Sequence, residues 1–166
     1  MSRIWEVLTD PEAILVFDID GTLISYNYGE FKAHHELDGV LTEEKFRTVD
    51  MYNGSRGIPV IRDFIRTRDP ERIYCVSMEP HRHDESKKKA VNLYYGIHPS
   101  KIFLVEDHSQ KPGMLKKIAE LSGVYKNKLV FIDDNSTVLR RVEEETPYLT
   151  AHVSVFFEDR EDTIRF

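Results

Sequence analysis

The sequence predicts an α/β protein built on a three-layer parallel sheet. Five short runs are dense in β-branched and aliphatic residues, as buried strands are, and helical patterns separate them. Strands that alternate with helices indicate parallel pairing with right-handed crossovers. The predicted strands are residues 13–17, 73–76, 102–105, 129–132 and 152–157.

Two helices are predicted between the first three strands. The earlier one follows Pro59, which suits a first helical turn, and its apolar residues recur on one face. The later one covers residues 84–95, with acidic residues near its start and Gly96 at its end. We expect the lysine run 87–89 to lie on the solvated face of this second helix.

Two more helices are predicted in the second half of the chain. One follows Pro112, keeps helical spacing of its apolar residues and stops at Gly123. The other follows Asp134, with Asn135 or Ser136 as its cap. These helices complete the alternation that predicts the three layers.

Residues 25–56 interrupt this alternation. The segment is polar and aromatic and contains one short helical candidate, near Thr42. A length of 166 residues favours one domain, so we interpret residues 25–56 as a small insertion within a single domain 1–166. No internal repeat or long linker is visible.

Composition excludes several classes of function. Lys+Arg 23 against Asp+Glu 29 gives a net charge of −6, so binding of nucleic acid by bulk electrostatics is not expected. No apolar stretch approaches the roughly 20 residues that span a bilayer, and no membrane association is expected. The single cysteine, Cys75, suits a reducing, cytoplasmic setting. The oligomeric state stays open.

Polar residues follow the predicted strands directly. In an open parallel sheet, ligands bind beyond the carboxyl ends of the strands, so these residues are expected to line one site. Grouped carboxylates repel one another, and a hard divalent cation such as Mg²⁺ relieves that repulsion. The residues concerned are Asp18, Asp20, Gly21 and Thr22 after the first strand, Ser77 after the second, Glu106, Asp107 and Lys111 after the third, and Asp133 and Asp134 after the fourth.

This set of side chains suits phosphoryl transfer. Asp18 and Asp20 flank Ile19, so in extended backbone their side chains point the same way, as a nucleophile and an acid/base would. Gly21 removes bulk where a substrate must approach. A hydroxyl and an ammonium, from Ser77 and Lys111, would stabilise the charge on a phosphoryl group. Taken singly, each of these residues has a common structural role as a cap, turn or surface residue.

Together, these motifs resemble those of the haloacid dehalogenase superfamily of aspartate-nucleophile phosphatases and phosphotransferases. Residues 17–23, Phe-Asp-Ile-Asp-Gly-Thr-Leu, are similar to its first motif, and Ser77 after the second strand to its second. Lys111-Pro112 is similar to the third motif and residues 130–134 to the fourth. The motifs span most of the chain.

The resemblance implies a Rossmann-like core and a magnesium-dependent phosphatase that acts on a small phosphorylated substrate. Asp18 would form an aspartyl-phosphate, Asp20 would be the general acid/base, and Ser77 and Lys111 would hold the phosphoryl group. Mg²⁺ would be bound by Asp18, the main-chain carbonyl of Asp20, and Asp134, with Asp133 as an auxiliary ligand. Gly21 and Thr22 would lie against the substrate. Lys101, Lys116 and Lys117 are alternatives to Lys111.

Other readings of the motifs stay open. Dehalogenases of the family lack an acid at the position of Asp20, which favours phosphoryl chemistry. Transferases, mutases and a catalytically silent binding module are not separated from hydrolases by any residue. A receiver domain has similar groups, but its phosphorylated aspartate follows a later strand, whereas the Asp-x-Asp-Gly-Thr pattern here comes first.

The resemblance also places the insertion. The family has a flap and, in some members, a cap domain between its first two motifs, and residues 25–56 are long enough for a flap or minimal cap only. The loop after Ser77 offers Arg82 as a cation for a second anionic group of the substrate. Whether His81 and His83, or His34 and His35, touch substrate stays open, and a zinc site on His81 and His83 is disfavoured by their spacing.

Overall fold

A computed structural model describes residues 3–25, 50, 52–79 and 83–158 of the chain. Within these ranges, no helix combines the length and the apolar composition needed to cross a membrane. The elements are, in chain order, α1 (Arg3–Leu8), β1 (Ile14–Phe17), β2 (Ile24–Ser25), β3 (Arg56–Gly57), α2 (Pro59–Arg66), β4 (Ile73–Met78), α3 (Asp84–Tyr95), β5 (Ile102–Val105), α4 (Lys111–Ser122), β6 (Leu129–Asp133), α5 (Ser136–Glu145) and β7 (Leu149–His152).

Five of the strands form one parallel sheet in the order β5-β4-β1-β6-β7. The central strand β1 is a continuous buried run, Ile-Leu-Val-Phe, as a strand covered on both faces must be. Its side chains alternate between two cores. Leu15 and Phe17 pack with α1, α2 and α3, whereas Ile14 and Val16 pack with α4 and α5. The predicted three-layer α/β architecture is therefore confirmed.

The predicted helices lie where the sequence placed them. Pro59 opens α2. The backbone turns left-handed at Gly96, directly after α3, with a φ of 71°. The Asn135 side chain caps α5 by accepting hydrogen bonds from the main-chain N–H groups of Thr137 and Val138.

The prediction of a strand over residues 152–157 is wrong. The fifth strand is Leu149–His152, which pairs with β6, and Val153–Phe157 is a 3₁₀ helix. The ring Nδ1 of His152 accepts a hydrogen bond from the main-chain N–H of Ser154, which turns the chain. The 3₁₀ helix then packs Phe156 edge-on against Trp5 of α1, with ring centroids 5.6 Å apart. Val153, Val155 and Phe156 are thus buried against the core, while Phe157 stays exposed.

The prediction that the run 87–89 is solvated is wrong for its first member. Lys89 is exposed, but Lys87 is fully buried, because it shares the inner face of α3 with Ala90 and Val91. The partners of its ammonium group belong to the candidate site and are described below.

Two antiparallel strands lie at the ends of the predicted insertion. Ile24 pairs with Gly57, and Ser25 pairs with Arg56. The helical candidate near Thr42 and the pair His34-His35 lie outside the described residues. The interpretation of residues 25–56 as a flap or minimal cap stays a prediction.

Candidate active site

The candidate site lies where β1, β4 and β6 end side by side. The main-chain N–H of Asp18 donates to the carbonyl of Ile132 at 2.8 Å, so the pairing of β1 with β6 continues to Asp18. The chain then folds back in a tight turn in which Leu23 and Ile24 both donate to the carbonyl of Ile19, at 2.8 and 2.9 Å. This turn fixes Asp18 and Asp20 at the rim of the sheet.

Three carboxylates meet at this rim. Asp18, Asp133 and Asp134 each offer an oxygen, and these oxygens lie within 4.8 Å of one another. Asp18 and Asp133 are buried, whereas Asp134 faces solvent. The Asp133 carboxylate is fixed by the backbone, because its Oδ1 accepts a hydrogen bond from the main-chain N–H of Asn135 at 2.8 Å. Hard oxygen donors in such a group are the ligands that Mg²⁺ prefers.

Gly21 leaves the space that the Asp134 carboxylate occupies. Its φ of +78° lies in the left-handed region, and a Cβ built at this position would lie 2.4 Å from Oδ2 of Asp134. Backbone conformation and close approach both require glycine here. The site therefore brings the first and fourth sequence motifs into contact.

Lys111 lies between two of the carboxylates. Its Nζ donates to Oδ1 of Asp18 at 2.7 Å and to Oδ2 of Asp133 at 2.8 Å, and its side chain is buried. Burial opposes its charge, but Asp18 and Asp133 outweigh that effect and raise the pKa of the ammonium group. Lys101 instead contacts Glu71 at 2.7 Å near the amino end of β5, and Lys116 and Lys117 are exposed on α4.

Asp18 carries the clearest electrostatic perturbation. Burial raises the pKa of its carboxyl group to about 6, and repulsion by Asp133 and Asp20 adds to burial, although Lys111 and Lys87 oppose the rise. Burial and the charge of Asp18 also raise the pKa of Asp134. The site thus holds more negative charge than its own lysines stabilise, which is the condition that a bound cation corrects.

Two hydroxyl groups of the site have no hydrogen-bond partner among the described residues. Oγ of Ser77, near the end of β4, and Oγ1 of Thr22, in the turn after β1, are both buried. Buried polar atoms are normally paired. Both hydroxyls are therefore available to donate to an anionic ligand, and the binding roles of Ser77 and Thr22 stay predictions.

A second group of contacts surrounds Asp20. Lys87 donates from Nζ to Oδ2 of Asp20 at 2.6 Å and to the carbonyl of Met78 at 2.5 Å. The hydroxyl of Tyr52 lies 3.1 Å from Oδ1 of Asp20 and 3.1 Å from Oε2 of Glu79. Lys87, Tyr52 and Glu79 were not among the predicted site residues. Helical spacing offered a signal for Lys87, since it lies three and four residues before Ala90 and Val91.

Of the other predicted residues, some are not described by the structure and some lie outside the carboxylate cluster. Arg82, the residue predicted to contact a second anionic group, lies outside the described residues, as does His81. Asp107 does not join the carboxylate cluster, because its side chain caps the 3₁₀ turn His108–Gln110 and accepts from Ser109. Glu106 is exposed beside it.

Comparisons with known proteins find similar folds among solved structures and no match among sequences. No protein-family model matches the sequence, and no curated protein matches it. The HAD domain of the effector protein Lem4 from Legionella pneumophila is similar, with a TM-score of 0.47 and 14% identity, covering 85% of this chain and 84% of that chain. At this identity and TM-score the similarity carries no weight for activity.

Proposed function

We propose that this protein is a magnesium-dependent phosphatase that acts on a phosphate monoester through an aspartyl-phosphate, as members of the haloacid dehalogenase superfamily do. The observation that carries the proposal is the position of Lys111, with its ammonium between Asp18 and Asp133, beside the third carboxylate of Asp134. Asp18, the proposed nucleophile, thus contacts the ammonium group that would bind phosphate. Its carboxylate also lies within 4.8 Å of those of Asp133 and Asp134, which would help to bind the metal ion.

The residues present fit a magnesium ion. Three carboxylates with one lysine between them leave net negative charge, and Gly21 keeps the space that the Asp134 carboxylate occupies. Asp18, Asp134 and the main-chain carbonyl of Asp20 would hold the ion, and Asp133 would orient the group as an auxiliary or outer ligand. A bound Mg²⁺ would neutralise charge between the carboxylates and the approaching phosphate.

The reaction would proceed in two steps. In the first, a carboxylate oxygen of Asp18 forms a bond to phosphorus, the bond to the leaving oxygen breaks, and Asp20 donates a proton to that oxygen. In the second, Asp20 accepts a proton from water, the water oxygen bonds to phosphorus, and Asp18 leaves as carboxylate with release of phosphate. Lys111 and the hydroxyl of Ser77 would hold the phosphoryl oxygens in both steps.

The test is hydrolysis of 4-nitrophenyl phosphate by the purified protein, with Mg²⁺ or with a chelator, beside the Asp18→Asn variant. We expect hydrolysis that requires Mg²⁺ and that falls by about 1,000-fold or more in Asp18→Asn, because the nucleophile is lost. Full activity in Asp18→Asn would overturn the proposal. Absence of hydrolysis across a panel of phosphate monoesters, with Mg²⁺ bound, would also overturn it in favour of a transferase or a silent binding module.

A further inference from the structure

Lys87 is a buried lysine that the phosphatase chemistry does not by itself require. It is the fourth residue of α3 and its side chain has 0% exposure, whereas neither Lys88 nor Lys89 is buried. Burial of an ammonium group is costly unless carboxylates and hydrogen bonds compensate it. The identity of its partners therefore indicates what the residue does.

The ammonium group of Lys87 contacts Asp20 and two groups at the end of β4. Its Nζ lies 2.6 Å from Oδ2 of Asp20, 2.5 Å from the carbonyl of Met78 and 3.6 Å from Oε2 of Glu79. The carbonyl of Met78 belongs to the last residue of β4, so the ammonium is fixed to the sheet at one side and to Asp20 at the other. The side chain of Asp20 keeps 28% exposure and thus stays open to a ligand.

The two oxygens of Asp20 are held in different ways. Lys87 binds Oδ2, while the Tyr52 hydroxyl contacts Oδ1 at 3.1 Å. Lys87 also lies 5.6 Å from the centre of the Tyr52 ring, within the range of a cation–π contact. Rotation of the Asp20 carboxylate would break both contacts, so these two side chains restrain its orientation.

We propose that Lys87 is a positioning residue for Asp20: it fixes the carboxylate in the orientation from which a proton reaches the leaving oxygen of the substrate. This inference depends on the proposed function and extends it to a residue of α3. Lys87 itself does not touch the reacting atoms. Its effect should be largest where protonation of the leaving group matters most.

The kinetic test compares two substrates whose leaving groups differ. 4-Nitrophenyl phosphate releases a weakly basic phenolate that needs little protonation, whereas phenyl phosphate releases a more basic one. In Lys87→Met, we expect kcat/KM to fall about tenfold or more further for phenyl phosphate than for 4-nitrophenyl phosphate. Lys87→Arg, which keeps a cation, should restore part of the loss. Lys89→Met is the matched control, because Lys89 is exposed on the same helix.

A double variant separates positioning from a purely structural role. If Lys87 acts through Asp20, adding Lys87→Met to Asp20→Asn should change kcat/KM by less than about twofold, because the group that it positions is already lost. The double variant removes both charges of the Lys87–Asp20 pair, so Asp20 is not left as an uncompensated carboxylate. It therefore tests the proposal even if Lys87→Met alone fails to fold. Equal losses for both substrates, or losses that add in the double variant, would overturn the proposal.

A crystallographic measurement makes the outcome independent of activity. In crystals with Mg²⁺, we expect the Asp20 carboxylate to lie within hydrogen-bond distance of Lys87 in the wild type and to change its side-chain rotamer in Lys87→Met. An unchanged Asp20 in Lys87→Met would overturn the inference even if the wild type hydrolyses phosphate esters. A wild type without hydrolysis, but with the rotamer change, would overturn the proposed function and leave Lys87 as the residue that orients Asp20.

Discussion

A Cβ atom at Gly21 would lie 2.4 Å from Oδ2 of Asp134. Gly21 belongs to the turn after β1, and Asp134 follows β6, so residues more than a hundred positions apart share one small volume. The glycine is therefore part of the site in a physical sense, since any side chain there would displace a carboxylate of the cluster.

We predict that Gly21→Ala lowers the affinity for Mg²⁺ in addition to destabilising the fold. Its φ of +78° makes alanine strained by about 1 kcal/mol, and the clash with Asp134 also displaces an oxygen of the carboxylate cluster. We expect the Kd for Mg²⁺, measured by titration calorimetry, to rise about tenfold or more.

Gly96→Ala is the matched control for this prediction. Gly96 has a similar φ of +71°, but a Cβ there would meet nothing within 4 Å. This variant should lose about 1 kcal/mol of stability and keep its magnesium affinity. Equal magnesium affinities in the two variants would show that the space left by Gly21 does not set the position of the Asp134 carboxylate.

We predict that Ser77→Ala lowers activity without lowering stability. The Ser77 hydroxyl is buried and has no partner among the described residues, so its removal relieves an unsatisfied polar group. The free energy of unfolding should stay within about 0.5 kcal/mol of the wild type or rise, while hydrolysis falls by about tenfold to 100-fold because a donor to the phosphoryl group is lost. Chemical denaturation and aryl phosphate hydrolysis measure the two effects.

Ser55→Ala provides the comparison. The hydroxyl of Ser55 is also buried, but it donates to the carbonyl of Tyr52 at 2.8 Å. Its removal should cost about 1 kcal/mol. If Ser77→Ala destabilises the protein as much as Ser55→Ala does, the Ser77 hydroxyl has a structural partner and is not reserved for a ligand.

The candidate site was predictable where local sequence sets position. Asp18 and Asp133 follow buried apolar runs, and the ends of parallel strands meet at one edge, so short-range patterns were sufficient to predict that these two carboxylates lie close together. Lys111 was predicted from its place before Pro112, and in the structure its ammonium group donates to Asp18.

Lys87 and the last strand show what local patterns could not predict. A lysine run is normally solvated, and only the position of α3 against β4 turns Lys87 toward Asp20. The run Val153–Phe157 has the composition of a strand, yet it is buried as a 3₁₀ helix because Phe156 packs against Trp5 near the chain start. Both outcomes depend on contacts between segments far apart in sequence.

We predict that Lys111→Met loses both activity and metal-free stability. Without Lys111, the buried carboxylates of Asp18 and Asp133 face each other with no cation between them, and breaking a buried pair costs about 3–5 kcal/mol. Hydrolysis should fall about 100-fold or more. Thermal denaturation with a chelator and with Mg²⁺ should show a loss that the ion partly reverses.

Lys116→Met controls for the loss of a lysine from the same helix, since Lys116 is exposed on α4. It should change stability by less than about 0.5 kcal/mol. A Lys111→Met protein that matches this control in stability with the chelator present would mean that Asp18 and Asp133 do not depend on the ammonium group.

We predict that Asp18→Asn makes the metal-free protein more stable at neutral and alkaline pH. Burial and neighbouring carboxylates raise the pKa of Asp18 to about 6 in the folded protein, against an ordinary value of 3.8. Ionised Asp18 therefore opposes folding, and this cost is complete above about pH 6 and absent below about pH 4. Lys111 keeps Asp133 as its partner in this variant, so at about pH 8 the variant should exceed the wild type by about 3 kcal/mol in unfolding free energy.

The sign of the pH dependence distinguishes this effect from ordinary gains of stability. As the pH falls from about 6 to about 4, the folded wild type binds a proton at Asp18 that the unfolded chain does not yet bind, so its disadvantage relative to Asp18→Asn shrinks. Denaturation in chelator at both ends of this range measures the change. Asp63→Asn, at an exposed aspartate of α2, should show no such trend. A difference between Asp18→Asn and wild type that is constant with pH would mean that Asp18 is not held in a repulsive, buried site.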